Sequence, residues 1–238
     1  MSERLRATLA LLEKVTLAPN EIGPEDVASL RKAGVSDSAI LDACYVCVGF
    51  NIIARIADAL GFEIPTEEVF SRAARFLVIF GYKRLSGFMT AGIHNQGADL
   101  LLKFKSVISK PSPVDPYQSK LRRVQDSVLR GPGTVPSAIR QKICDGREIS
   151  GALGDYGRKV AEHAYLITDD DFAELKKASF TDDQIFEATV SAALGAGLIR
   201  LDCVMRALNS ERDSLVSAGA SLEDTRAPAM TKVGSTLA

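Results

Sequence analysis

Tryptophan is missing from this 238-residue chain, and Phe, Tyr and Trp together reach only 6%. The hydrophobic 46% is therefore carried mainly by Ala, Leu, Ile and Val, a mix that favours helix over sheet. No charge of one sign prevails. Lys and Arg number 29, Asp and Glu number 30, and the formal net charge is -1. That balance gives no electrostatic reason to expect nucleic acid or an anionic membrane as a partner. Four cysteines, at 44, 47, 144 and 203, are too few to staple a chain of this length. They read as reduced thiols of a cytoplasmic protein. No signal-like apolar core follows Met1, Ser2, Glu3 and Arg4. The longest apolar run, 43–57, is short for a bilayer and is broken by Asn51 and Arg55. The expectation is a soluble protein without a membrane partner.

Alternating strands of useful length are also missing, so the expected class is all-α. Apolar residues at three- and four-residue spacing, Leu5, Leu9, Leu12 and Val15, mark a first helix over 2–17. Pro24 opens a short second helix, with Glu25 and Asp26 in its first turn and Gly34 past its end. Ser36 caps a third helix that runs to about Gly61. Thr66 starts another, ending before Gly81. Residues 82–96 are broken by Gly87 and Gly92, 98–108 are helix-like, and 109–118 hold three prolines and read as a linker. Further helices are expected over 119–130, 136–145, 150–165, 169–178 and 181–208, followed by a polar tail from about Glu211.

The third helix carries ACYVCVGFNIIARIADAL, residues 43–60, which is apolar nearly all round and so suited to burial or to a subunit interface. It reappears in altered form at an offset of 145. Residues 14–55 lie over 159–200 without a gap, with 12 of 42 positions identical. The pairs include Lys14/Lys159, Asp26/Asp171, Ile40/Ile185 and Arg55/Arg200. A shared register of helix starts, loop lengths and one in-helix arginine points to structural duplication. The two apolar helices would then hold equivalent places about a pseudo-two-fold. The expected organisation is a first unit over 1–81, a connecting segment over 82–118, a second unit over 119–210 and a tail over 211–238.

Candidate chemistry is sparse. Cys44 and Cys47 share a helix face, but they sit inside the helix among Tyr45, Val46 and Val48, where burial raises a thiol pKa. They read as small core residues or as a redox pair. No second Cys/His pair is spaced to complete a zinc site, so no metal is expected. Arg55 and Arg200 need a carboxylate or carbonyl if buried, and otherwise could anchor an anionic ligand. Asn51 is a helix-to-helix hydrogen bond or a pocket group. His94 lies in the Gly-containing loop stretch TAGIHNQGAD, and His163 lies on a helix beside Glu162 and Tyr165. Gly195 and Gly197, inside the last helix, call for a packing reason.

The stretch LRKAGVSDSAILDACYVCVGFNIIARIADALGF, residues 30–62, resembles the helical segment of the alkylhydroperoxidase D-like (AhpD-like) and carboxymuconolactone decarboxylase superfamily. It is most similar to the peroxidase-related branch, through Phe50, Asn51, Arg55, Ala57 and Asp58. The second stretch, DDFAELKKASFTDDQIFEATVSAALGAGLIRL, resembles a diverged copy. The resemblance implies an AhpD-like helical fold in two tandem units, a homo-oligomer, and a thiol-dependent peroxidase-type oxidoreductase that needs no cofactor. Active members follow Cys-x-x-Cys with a His, and carry a Glu upstream. Here Val48, Gly49, Phe50 and Asn51 follow Cys47, and Thr189 and Ala192 stand in the second copy where the cysteines stand in the first. No catalytic residue carries over from the family; read from the residues themselves, Cys44, Cys47 and His163 are the candidate catalytic residues, and Arg55, Asn51, Arg200 and His94 the candidate ligand-binding residues. The alternatives are a non-catalytic helical protein that binds a small molecule or protein partner, or a cofactor-free acid/base enzyme using His163 or His94.

Overall fold

The computed structural model describes residues 1–63, 66–72, 74, 75, 78 and 116–224. Among these residues all regular structure is helical, as the composition requires. In chain order, α1 is Glu3–Leu17, α2 Pro24–Lys32 and α3 Asp37–Ala59. Residues 67–72 are also helical. Then follow α4 Pro116–Arg130, α5 Ser137–Cys144, α6 Ala152–His163, α7 Asp169–Lys177 and α8 Asp182–Asp224. One 3-10 turn, Pro19–Glu21, follows α1, and another, Ala164–Leu166, follows α6. His94 and the rest of 79–115 lie outside the described residues.

Local chemistry sets the helix ends. The Ser2 hydroxyl accepts from the Leu5 N–H, and the Ser36 hydroxyl from the Ala39 N–H, both at 3.3 Å. Thr181 and Gln184 form a reciprocal capping box at the start of α8. The Asp26 carboxylate accepts from the Gly23 N–H at the start of α2, and Asp171 accepts from the Thr168 N–H at the start of α7, each at 2.8 Å. α2 ends through Gly34 at φ +82°, where glycine carries no Cβ penalty. α7 ends the same way through Ser179 at φ +66°, a left-handed conformation uncommon for a residue with a side chain. In both, a reverse hydrogen bond closes the turn at 3.0 Å: Val35 N–H to Leu30 C=O, and Phe180 N–H to Leu175 C=O.

Two compact units result, one built from two separate stretches of sequence and the other from a single stretch. One comprises Met1–Asn51 together with the chain from Gly197; the other comprises Ile52–Ala196. Each long helix, α3 and α8, is thus divided between them. The first unit packs Leu11, Val15, Val27, Leu30, Ile40 and Cys44 with Val204 and Leu208. The second packs Ala59, Ile143, Leu153, Tyr156, Val160, Leu175, Ile185 and Ala188. Fully burying one such Leu, Ile or Val is worth about 1.5–3 kcal/mol. The buried side of α1 is carried by Leu11 and Val15, whereas Leu5 and Leu9 of the expected stripe are about half exposed. α8 also runs on to Asp224, past the point where the sequence reads as a polar tail.

α3 and the stretch Asp182–Glu211 of α8 are long and apolar enough to cross a membrane. Core helices of soluble proteins meet the same test. In α8, 67% of the apolar window is buried. For α3 only 22% is buried, so one side of this apolar helix faces outward.

Candidate functional site

The candidate residues fall into one cluster and several separate positions. At the C-terminal end of α1, Thr16 gathers three of them. The Asn51 amide, on α3 and 7% exposed, donates to the Thr16 hydroxyl at 3.2 Å. It also donates to the Cys47 carbonyl one turn back at 3.0 Å. The Cys47 sulfur lies 3.5 Å from both the Thr16 hydroxyl and the Asn51 amide, and 3.8 Å from the Leu12 carbonyl. From α8, Arg200 donates to the Thr16 carbonyl at 3.4 Å. The last carbonyls of a helix have no partner within the helix, and the dipole there favours a cation. Arg200 supplies both the donor and the charge.

Arg55 does the same work elsewhere. Its Nε donates to the Ala161 carbonyl, in the last turn of α6, at 3.1 Å. Burial lowers its pKa somewhat and Asp58 opposes that shift. Both arginines therefore close helix ends, and this accounts for an arginine at matching places on two apolar helices.

The thiols differ from one another. Cys44 is fully buried in the first core, and burial, reinforced by neighbouring Cys47, pushes its pKa up to about 12. Such a thiol holds almost no thiolate at neutral pH. Cys47 is partly buried against α1. Cys144 and Cys203 are buried as well. His163 is the last residue of α6 and is exposed, its ring edge-on to Tyr165 with centroids 6.1 Å apart. No carboxylate hydrogen-bonds it among the described residues. Nor does any group of three or more His, Cys, Asp or Glu among them stand ready to hold a metal ion.

The described residues include open surface grooves. One, of about 480 Å3, runs between α1 and α2 past Arg6, Ala10, Asp26 and Lys32. Another, of about 360 Å3, runs between α6 and α7 past Asp155, Tyr156, Lys159, Asp171 and Glu174. Neither is lined by a cysteine, Asn51, Arg55, Arg200 or His163.

Sequence inspection passed over a polar network around Glu187. Glu187 of α8 accepts from the Val135 N–H at 2.8 Å, the Thr134 N–H at 2.7 Å and the Thr134 hydroxyl at 3.1 Å. Burial opposes its ionisation, but these donors and nearby Arg140 outweigh that and hold its pKa below the usual carboxylate range. Arg140, 4% exposed, donates to the Val128 carbonyl at 2.6 Å and the Gly131 carbonyl at 2.5 Å. A side chain at Gly133 would meet the Glu187 carboxylate. The turn GPGTVP is thus a cradle already filled by the protein's own glutamate. A second missed pair is Tyr156 and Thr189, whose hydroxyls meet at 2.8 Å inside the second core.

No family model, curated protein or solved structure matches the chain. The likeness of residues 30–62 to AhpD-like proteins therefore rests on the residues themselves.

Proposed function

We propose that this chain is a non-catalytic, AhpD-like helical scaffold, built from two copies of one unit, that acts by binding rather than by thiol chemistry. The observation that carries this reading is what recurs at the 145-residue offset. Lys14 pairs with Asp26 at 2.8 Å, and Lys159 with Asp171 at 2.6 Å. Arg31 pairs with Asp37, and Lys176 with Asp182. Arg55 closes on Ala161, whose counterpart is Thr16, and Arg200, the counterpart of Arg55, closes on Thr16. The starts of α2 and α7, and of α3 and α8, fall at the same offset. The frame is kept while the sulfur is not, since Thr189 and Ala192 replace Cys44 and Cys47. A thiol buried to a pKa of about 12 supports the same reading.

Hydroperoxide turnover tests it. With an organic hydroperoxide and a dithiol reductant, the protein is expected to consume peroxide no faster than the reductant alone, and the Cys47→Ser variant to behave identically. Turnover above that background that disappears in Cys47→Ser would instead establish the peroxidase reading.

A further inference from the structure

Charge in this chain is balanced in total but not along its length. Residues 71–147 hold 14 of the 29 Lys and Arg but only 4 of the 30 Asp and Glu, a net of +10 in a chain of net -1. The remainder is correspondingly acidic. Within this basic stretch, α4 carries four cations, Lys120, Arg122, Arg123 and Arg130, against one acid, Asp126. Its apolar residues, Leu121, Val124, Val128 and Leu129, recur at helical spacing and are buried or half-buried. Arg122 and Arg130 stand exposed, and Lys120 and Arg123 are half-buried.

Little in the chain answers these cations. Arg130 pairs with Asp126 at 2.7 Å, an exposed contact of small worth that a denser anion displaces. Lys120 lies over the Tyr117 ring, 5.8 Å from its centroid. Among the described residues no carboxylate stands within ion-pair distance of Lys120, Arg122 or Arg123. Elsewhere in the same unit, Lys159, Lys176 and Lys177 each have an acid. The undescribed residues 79–115 are themselves basic, with five Lys and Arg against Asp99 and Asp115. They add to this charge rather than cancel it.

We infer that the cationic face of α4 binds the phosphate backbone of a nucleic acid. From Lys120 to Arg130 the helix advances about 15 Å, the rise of about four nucleotides of one strand. Three of its four cations are arginines, whose guanidinium fork fits phosphate oxygens two at a time. A protein partner would need an apolar centre to its interface. Among the described residues of 116–147, Tyr117 at 39% is the only exposed large apolar side chain. A helix lying on a membrane turns its apolar side to the lipid, and in α4 that side is packed, with Leu129 5% exposed. What remains is a polyanion held through release of its counterions, independent of sequence. The inference goes beyond the scaffold reading and fails separately from it: thiol-dependent turnover would sink that reading and leave this face standing.

Fluorescence anisotropy of a labelled DNA duplex of about 20 base pairs, titrated with the full chain, provides the test. Kd is expected between about 1 and about 100 μM at about 50 mM salt, with log K falling against log salt at a slope of about -3. Arg122→Gln combined with Arg123→Gln should weaken binding at least tenfold and make the slope shallower by about 2, with helicity by circular dichroism unchanged. Lys176→Gln combined with Lys177→Gln removes the same charge from α7 and should leave Kd within twofold. No binding at about 100 μM overturns the proposal, as does a Kd indifferent to the α4 variant. An equal loss in both double variants also overturns it, since net charge rather than the face of α4 would then be responsible. Displacement of the duplex by polyglutamate at equal charge overturns it in favour of an acidic protein. Protein that ignores the duplex but sediments with phosphatidylserine vesicles overturns it in favour of a membrane.

Discussion

The stretches 14–55 and 159–200 share a frame and differ in what lies against it. Both hold a Lys–Asp pair between the first and second helix, a left-handed residue after the second, and an arginine that closes a helix end. Inside the first core, Leu11 and Cys44 are both buried apolar members. At the same places in the second stand Tyr156 and Thr189, joined by a hydrogen bond. Outside, Glu187 is locked into the 131–136 turn, whereas its counterpart Asp42 is exposed. Ionic and capping contacts that set helix geometry are what the two have in common. Core fillers and outer faces differ, because each needs only a complementary neighbour.

The largest difference should appear at Glu187 and Asp42. Glu187→Ala leaves the Thr134 and Val135 N–H groups without their acceptor and removes the carboxylate 4.0 Å from Arg140, and is expected to cost about 2 kcal/mol. Asp42→Ala, on the exposed face, should stay within about 0.5 kcal/mol. Urea unfolding midpoints of the two variants give the comparison, and equal losses would break it. The pH dependence has a defined sign. The folded-state pKa of Glu187 is depressed, so its contribution is present above the unfolded value of about 4.3 and is lost as pH falls through the lower folded value. Asp171, whose burial is outweighed by bonds from Lys159 and Thr168, adds to the same acid loss. Glu187→Ala should flatten that limb, and Asp42→Ala should not.

A smaller contrast is expected between the arginines. Arg55→Met removes a part-buried bond of 3.1 Å, Arg200→Met a longer and more exposed one of 3.4 Å. The first should cost about 1 kcal/mol and the second about half of that. Thermal unfolding of both variants measures this. A greater loss in Arg200→Met would mean that its role is not the capping of α1.

Much of the frame was legible in the sequence, for physical reasons. Pro24, Ser36 and Thr181 mark helix starts through their own backbone and side-chain chemistry, and they do so here. The identical pairs Lys14/Lys159 and Asp26/Asp171 stood out in the sequence, but their ion pairs did not, because only the fold brings residues 12 apart into contact. The roles of Arg55 and Arg200 could be posed but not resolved, because a carbonyl partner leaves no mark in sequence. Glu187 was missed on the same ground: two of its three donors are backbone N–H groups, and all lie more than fifty residues away. The face of α1 was placed too far toward Leu5 and Leu9, since leucine spacing alone does not say which side meets a neighbour. The Cys-x-x-Cys drew attention out of proportion to its setting. Depth inside an apolar helix is the relevant property, and it needs the packing to be known.

The central claim is that the thiols of α3 are packing. Native-state thiol labelling at pH 7, read at each cysteine by mass spectrometry, tests it most directly. With its pKa pushed up to about 12 by burial, Cys44 should react only when the protein opens, at a rate matching that of buried Cys144. Labelling of Cys44 in the folded protein as fast as an unstructured thiol would contradict the account.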